Sequence, residues 1–335
     1  MLARDFRDSD GSSQAIAQNS ESAELKSSTS GKVAILMCTY QGASFLAEQL
    51  HSFERQTHRN WALYVSDDGS HDGTLDQLQS FGAQLGVERF RLFDGPCRGF
   101  VANFLSLTSR TDIAADFYAW SDQDDIWKDD KLQRALAWLQ TIPSHIPALY
   151  CGRTELILES GTRCGYSPLF SFPAHFCNAL VQNIGGGNTM VFNQAARGLL
   201  QEAGDSLLVP SHDWWAYQLI SGAGGAVHYD PEPMVLYRQH DSNLVGTNSN
   251  FSARIQRLGM IFNGRFKDWN DQSIHALETM LHRLSPKHQG TLSQFKTSRS
   301  QNILSRVLGL RRSGVYRQTF WGNLGLILAT LMKKI

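Results

Sequence analysis

Acidic residues are crowded into one short stretch of this chain. Asp122, Asp124 and Asp125 fall within four residues, and carboxylates that close repel one another unless a cation or strong hydrogen-bond donors compensate. Carboxylate oxygens suit Mg²⁺ or Mn²⁺, which typically keep open positions for substrate phosphates. A calcium loop is excluded because Trp127 and Gln133 stand where such a loop needs Gly and Glu. The alternative is a solvated acidic turn that caps the following helix.

A second polar turn, Asp67-Asp68-Gly69-Ser70, lies closer to the N-terminus. Asp and Gly are favoured in turns, so this segment could be a turn and nothing more. In the functional alternative, Asp68 accepts hydrogen bonds from a nucleotide base or ribose. The segments 39–42 and 222–227 match neither the dinucleotide-binding glycine pattern nor a Walker loop. These segments therefore argue against a dinucleotide-binding protein or a P-loop protein.

Short apolar runs precede these polar turns and predict strands at residues 33–38, 61–65 and 117–120. A further strand near 89–93 and amphipathic helices between the strands give a run of βαβ units, and hence a mostly parallel sheet. Ligands of such sheets bind beyond the carboxyl ends of the strands. We therefore expect the polar clusters that follow the strands to converge at one edge of the sheet: residues 39–40, 67–70 and 121–125.

The second half of the chain has a less regular pattern. We predict strands at 148–158, 189–192 and 233–236, and a helix that begins at His212 and runs to Ile220. A glycine-rich turn, Gly185-Gly186-Gly187-Asn188, precedes the second of these strands.

Three segments in this order resemble the family 2 glycosyltransferases of GT-A fold, and most closely the bacterial rhamnosyltransferase-like members. They are residues 33–40, 66–74 and 121–127, and the resemblance covers roughly residues 32–240. It implies an α/β, Rossmann-like fold with a mostly parallel sheet flanked by helices. In the family, a D-x-D pair holds a divalent metal against the donor diphosphate, which implies Asp122 and Asp124 here, with Mg²⁺ or Mn²⁺ as the cofactor.

The resemblance also implies residues of the nucleotide-sugar site. The aspartate after the second strand contacts the nucleoside, which implies Asp68, and Thr39 and Tyr40 line the same pocket. Arg98 and Asn103 resemble the next donor-side segment of the family. Asp122 is expected to serve the donor as well as the metal.

The catalytic base of the family is commonly the Asp of an acidic pair that opens a helix. This sequence has His212-Asp213, so the acidic residue before the base is replaced and Asp213 inherits the role. The alternative is that Asp213 merely caps its helix. His240 resembles a late histidine that completes the metal sphere or touches the diphosphate, and a structural histidine is the alternative. Three residues are expected on the acceptor side, where tryptophans also often belong to the core: Asn188, Trp214 and Trp215.

The expected reaction is a single inverting displacement that moves L-rhamnose from deoxythymidine diphosphate rhamnose to a saccharide or lipid-linked saccharide, in the synthesis of a cell-surface polysaccharide. The donor follows from the resemblance alone. Two alternatives stay open: a non-catalytic module that binds a nucleotide sugar or carbohydrate, and a metal-dependent nucleotidyltransferase, which would release pyrophosphate.

We expect a disordered polar tail over residues 1–30, a catalytic domain over 31–250 and a basic helical region over 251–335. The catalytic domain divides into a nucleotide-sugar half, 31–140, and an acceptor half, 141–250. Residues 251–335 hold 14 Lys and Arg against 3 Asp and Glu. This charge suits nucleic acid, an anionic membrane surface or an acidic acceptor, and we expect peripheral contact with a membrane there. The alternative is that these helices only pad the catalytic domain, and nothing in the sequence resembles a nucleic-acid-binding module.

The five cysteines include no C-x-x-C pair, and the N-terminal stretch lacks the apolar segment of a signal peptide. The sequence therefore predicts a cytoplasmic protein, with peripheral contact at the inner face of the plasma membrane.

Overall fold

The computed structural model describes residues 31–240 and 264–335. Both ranges belong to one compact unit, Gly31–Ile335. Three predictions lie outside the described residues: the polar tail over 1–30, the domain boundary at 250/251, and the helical structure expected for residues 251–263.

The first half of the sheet is parallel. Its strands, in the order β3-β2-β1-β4, are β1 (Val33–Thr39), β2 (Trp61–Asp67), β3 (Phe90–Asp94) and β4 (Phe117–Ser121). The connecting helices are α1 (Leu46–Glu54), α2 (Thr74–Leu85) and α3 (Phe100–Ser109). Every residue of β1 and β2 is buried, as expected for parallel strands covered on both faces. The predicted βαβ rhythm is confirmed.

The second half makes the sheet mixed. It contains β5 (Ile126–Trp127), α4 (Lys131–Leu139), β6 (Ala148–Leu158), β7 (Arg163–Tyr166), α5 (Phe176–Ala179), β8 (Val191–Asn193), α6 (Gln194–Ala203), α7 (His212–Gly222) and β9 (Ala226–Gln239). The sheet continues β4-β8-β6-β9-β5, and β7 pairs antiparallel with the C-terminal part of β6, beyond the residues that pair with β8. Strand β8 is antiparallel to β4 and β6, whereas β9 is parallel to β6. The predicted α/β fold is confirmed, with most of the parallel pairing among β1 to β4.

Strand β9 begins seven residues before the predicted strand at 233–236. Its register against β6 shifts between Asp230, opposite Gly152, and Val235, opposite Thr154. Pro231 and Pro233 lie in this irregular stretch, and proline cannot donate to the ladder. The interrupted pairing explains why the sequence pattern shows only the second part of the strand.

Four further helices follow: α8 (Arg265–Thr279), α9 (Pro286–Ser300), α10 (Ile303–Ser313) and α11 (Phe320–Leu331). Leu277 and Phe295 are fully buried in the same core cluster as Ile220 of α7. The Ser285 N–H donates to the Gly222 carbonyl over 3.0 Å. None of the described helices is long and apolar enough to cross a membrane.

Candidate functional site

Asp67 builds the turn after β2. Its Oδ2 accepts hydrogen bonds from the hydroxyls of Thr39 (2.7 Å) and Ser70 (2.6 Å), and its Oδ1 accepts from the N–H groups of Gly69 (3.1 Å) and Ser70 (2.7 Å). Thr39 is 1% exposed. The predicted donor residue Thr39 thus joins the ends of β1 and β2 through a buried carboxylate.

Asp68 holds the loop that leads from β3 to α3. Its Oδ1 accepts from the Cys97 N–H (2.7 Å) and its Oδ2 accepts from the Gly99 N–H (3.0 Å). Cys97 and Gly99 have φ angles of 52° and 86°, the left-handed region that strains most residues but not glycine. Arg98 lies between them and is exposed. The structure therefore places Arg98 in the loop that Asp68 holds, at the edge of the sheet where β2 ends.

Tyr40 is 58% exposed, and its main chain is held by the side chain of Gln123. The Gln123 Nε2 donates to the Tyr40 carbonyl and its Oε1 accepts from the Tyr40 N–H, both over 2.9 Å. Asn103 is 1% exposed and donates from Nδ2 to the Ser66 carbonyl over 3.0 Å. Sequence reasoning missed Gln123, whose position inside the acidic turn was the one available signal.

The acidic turn after β4 contacts the end of β9. His240 Nε2 lies 2.7 Å from Asp124 Oδ2, and the His240 ring stacks on Phe45 with centroids 5.3 Å apart. Burial, followed by the charges of Asp124 and Asp213, raises the pKa of Asp122 to about 8. Asp124 thus contacts His240 directly, and the charges of Asp124 and Asp213 act on Asp122. These four residues come from three separate segments and are called the acidic cluster below.

The donor atoms of this cluster suit a divalent metal. The carboxylates of Asp122 and Asp124 are ligands that Mg²⁺ or Mn²⁺ accepts. Burial and then the neighbouring carboxylates raise the pKa of Asp122, and a cation would relieve the second of these effects. Within residues 31–240 and 264–335, no three or more His, Cys, Asp and Glu side chains are arranged as a formed metal site. These residues thus carry ligand atoms of the kind that a divalent metal binds, but among the described residues they do not form a complete coordination shell.

Hydrogen bonds of Asp125 and Arg238 hold the acidic turn, residues 121–125, in place. Asp125 is 1% exposed, and its carboxylate accepts from the Arg238 N–H (3.2 Å) and from Asn188 Nδ2 (2.5 Å). Arg238 Nε donates to the Asp124 carbonyl over 3.1 Å, and its Nη2 pairs with Glu48 over 3.0 Å. Sequence reasoning gave neither Asp125 nor Arg238 this role. Nothing local predicts a contact between residues 113 positions apart.

Asp213 lies in the first turn of α7 with both carboxylate oxygens engaged. Its Oδ2 accepts from the Gly187 N–H (3.1 Å) and its Oδ1 accepts from the Trp214 N–H (2.7 Å). The helix begins after Ser211, which is the N-cap residue. Asp213 is therefore not the N-cap of its helix, and its side chain is only partly buried.

His212 is enclosed by aromatic rings. It stacks on Phe104 with centroids 4.0 Å apart and meets the edge of Trp120 at 4.7 Å. Neither ring nitrogen has a hydrogen-bond partner among the described residues, and burial lowers the pKa of His212 to about 4. A neutral imidazole suits this apolar site far better than a carboxylate would, which explains the departure from the family's acidic pair.

The residues expected at the acceptor are buried. Asn188 is 3% exposed, Trp214 is 6% exposed and Trp215 is 1% exposed. Asn188 donates to Asp125, and the Trp214 indole N–H donates to the Ala179 carbonyl over 2.6 Å. In this conformation these side chains support the site from within, and their contact with an acceptor stays a prediction.

Comparison with known proteins identifies the family. The sequence model of glycosyl transferase family 2 matches residues 34–203. The dTDP-rhamnosyl transferase RfbG of Shigella flexneri is 27% identical, over 72% of this chain and 84% of that protein. The uncharacterized glycosyltransferase RT0329 of Rickettsia typhi is 24% identical, over 75% of this chain and 76% of that protein. The structure of S. aureus TarS 1-349 in complex with UDP-GlcNAc is 15% identical, with a TM-score of 0.49 over 85% of this chain and 93% of that one. The chain described here belongs to glycosyl transferase family 2.

Proposed function

We propose that this glycosyltransferase is metal-dependent and inverting, with a nucleoside diphosphate sugar as the donor and Asp213 as the general base. The observation that carries the proposal is the 2.7 Å contact between Asp124 and His240. It joins the turn after β4 to the end of β9, which places two of the proposed metal ligands side by side. The proximity of Asp213 to Asp122 supports placing the base beside these ligands.

The donor would lie along the edge formed by the ends of β1, β2 and β4. The exposed guanidinium of Arg98 offers positive charge to a diphosphate. Asp68 keeps acceptor capacity beyond its two backbone contacts, because a carboxylate has about four acceptor positions. Thr39 and Tyr40 would line the nucleoside pocket, whereas Asn103, which is buried against β2, would position α3.

Asp122, Asp124 and His240 would hold the metal. When bound, Mg²⁺ or Mn²⁺ would stabilise the negative charge on the departing diphosphate. Arg238 and Asp125 would position these ligands, because they fix the main chain of the acidic turn.

Asp213 would accept the proton of the acceptor hydroxyl, because a sugar hydroxyl is a weak nucleophile at neutral pH. The N–H groups of Gly187 and Trp214 hold its carboxylate in place. A single displacement at the anomeric carbon then inverts its configuration.

We propose deoxythymidine diphosphate L-rhamnose as the donor, supported by the relative named as a dTDP-rhamnosyl transferase. The acceptor would be a saccharide or lipid-linked saccharide in cell-surface polysaccharide synthesis. All five cysteines are unpaired, which supports the proposed cytoplasmic setting.

The test compares Asp213→Asn with the wild type in a sugar-transfer assay that identifies the released nucleotide. We expect transfer to fall by about 10²–10⁴-fold in the variant, with an unchanged melting temperature. Asp76→Asn, at an exposed position on α2, is the matched control and should transfer normally. Near-normal transfer by folded Asp213→Asn would remove the base assignment. Release of pyrophosphate would favour the nucleotidyltransferase, and donor binding without turnover by the wild type would favour the binding module.

A further inference from the structure

The outer face of α11 is apolar and uncovered by described residues. Six side chains at helical spacing are between 41% and 75% exposed: Phe320, Trp321, Leu324, Ile327, Leu328 and Leu331. The opposite face packs inward through Leu326, Ala329 and Thr330. A contiguous exposed apolar patch of this kind marks a contact surface.

Helix α10 extends this face. Leu304 and Leu308, one turn apart, are 71% and 44% exposed. Between them, Arg306 is 1% exposed and donates from Nη1 to the carbonyls of Thr330 (2.7 Å) and Leu331 (3.2 Å). Because this inward guanidinium ties α10 to the end of α11, the exposed sides of the two helices form one surface, which we term the α10–α11 surface.

The charge around the α10–α11 surface has one sign. Residues 301–335 contain six Lys and Arg and no Asp or Glu. Arg311 and Arg312 are exposed and follow Leu304 at i+7 and i+8, and Lys333 is exposed just beyond α11. Such a rim complements anionic lipid headgroups. A second copy that docked through the same surface would bring these cations against their own equivalents, which is unfavourable.

The aromatic residues lie at one end of the surface. Phe320 and Trp321 are 75% and 74% exposed, and their rings meet edge to face with centroids 5.5 Å apart. Aromatic side chains of this kind favour the boundary between headgroups and acyl chains. The 12 residues of α11 span about 18 Å, too short for a bilayer core of about 30 Å. The helix therefore suits the plane of the interface.

We propose that the α10–α11 surface docks on an anionic lipid bilayer, with Phe320 and Trp321 inserted at the headgroup level. The acceptor half would be held close to the lipid. The Gln318 side chain exchanges two hydrogen bonds of 3.0 Å with the main chain of Phe172, in the loop after β7. Phe172 is itself 51% exposed, so docking would bring this loop to the membrane together with α11.

The test is flotation of the full chain with phosphatidylcholine vesicles, with and without a quarter of phosphatidylglycerol, in the absence of nucleotide and metal. We expect binding to the anionic vesicles at low salt. The double variant Phe320→Ser/Trp321→Ser should bind at least about tenfold more weakly. In Arg311→Gln/Arg312→Gln, the affinity for anionic vesicles should fall about fivefold per removed charge at low salt. The decrease should be much smaller at high salt, because salt screens the charges. Leu208→Ser, at a 73% exposed position outside this surface, is the matched control.

Several outcomes would overturn the proposal. They are no binding of the wild type to anionic vesicles at low salt, binding by folded Phe320→Ser/Trp321→Ser equal to that of the wild type, and a wild-type dimer that this variant dissolves in sedimentation velocity. The last result would assign the surface to a second copy of the chain. Because the assay contains no sugar donor, its result is independent of the proposed transferase mechanism.

Discussion

At the scale of single residues, the site depends on side chains whose charge is set by their surroundings. His212 is held neutral by an aromatic enclosure, whereas the next residue, Asp213, is partly exposed and hydrogen-bonded by main-chain N–H groups. Two adjacent positions at the start of one helix thus serve opposite purposes. His212 packs the helix onto α3, and the charge of Asp213 acts on Asp122.

We predict that His212 makes the fold sensitive to acid. Its pKa of about 4 in the folded chain lies below the ordinary value of about 6.5. Between these pH values the unfolded chain binds a proton that the folded chain does not, so the free energy of unfolding falls as the pH drops. For this group the loss between pH 7.5 and pH 5 is about 2 kcal/mol.

Urea unfolding at the two pH values measures this loss. His212→Leu should lower stability at pH 7.5 and should lose less stability than the wild type on acidification. Part of the wild-type dependence should remain, because burial also lowers the pKa of His175 and of His228. His71→Leu, at an exposed position, should retain the full dependence. An unchanged slope in His212→Leu would contradict the prediction.

We predict that Asp124→Asn weakens metal binding. The substitution removes one carboxylate charge from the cluster and alters the partner of His240. In isothermal titration calorimetry, Mn²⁺ with deoxythymidine diphosphate should bind the wild type and should bind the variant at least about tenfold more weakly. Asp129→Asn, at an exposed position beyond the acidic turn, should bind as the wild type does. Equal heats for wild type and Asp124→Asn would remove Asp124 from the metal site.

At the scale of elements, the turn at Gly187–Thr189 fits closely against the start of α7. A Cβ added at Gly187 would lie 2.4 Å from Nε2 of His212, while the Gly187 N–H reaches Asp213. The glycine is required by close approach, since a side chain would push the turn away from the proposed base. The 3₁₀ turn at Gly187–Thr189 is therefore held directly against the start of α7.

We predict that Gly187→Ala destabilises the fold by about 1–3 kcal/mol, because it overpacks a filled site. Sugar transfer should fall as well, since the N–H that holds Asp213 is displaced. Gly198→Ala in α6 is the matched control: its Cβ would meet nothing within 4 Å, and it should stabilise the helix by about 0.5–1 kcal/mol. The urea midpoints of both variants measure these changes in stability. A Gly187→Ala variant with the stability and sugar-transfer activity of the wild type would contradict the close fit of the turn against α7.

The elements most legible from sequence were those with a continuous local pattern. The uninterrupted apolar run of β1 predicted a strand, and the amphipathic pattern between the first two strands predicted a helix, and the structure confirms both. The contacts that shape the site were not predictable in this way. Gln123 with Tyr40 and Arg238 with Asp125 join residues that are 83 and 113 positions apart. Such pairings follow from the order of strands in the sheet, which hydrophobic periodicity does not specify.

At the scale of the whole molecule, the C-terminal helices have two different faces. Their inner faces complete the core around α7, with Leu277 and Phe295 fully buried and His288 Nδ1 2.9 Å from the Gly222 carbonyl. The inner faces therefore pack against the catalytic domain, as the alternative in which these helices only pad that domain would have it. The outer faces of α10 and α11 are left for another contact.

We predict that the residues described here unfold in one cooperative transition, because the core is shared between α7 and the helices after residue 264. Differential scanning calorimetry should give a single endotherm whose calorimetric and van't Hoff enthalpies agree. A chain truncated after residue 263 should fail to fold, because it exposes the apolar side of α7. A separate, earlier transition that belongs to α8–α11 would contradict this expectation, and hydrogen exchange would locate it.

The way Asp68 holds its loop has a consequence for how this enzyme could diversify. The two groups that it binds, the N–H groups of Cys97 and Gly99, belong to the main chain, which nearly every amino acid supplies. Only the left-handed backbone at 97 and 99 constrains sequence there. Position 98 between them is thus free to change its side chain while the frame persists, so a single exchange there could alter the charge at this edge of the sheet without rebuilding the loop.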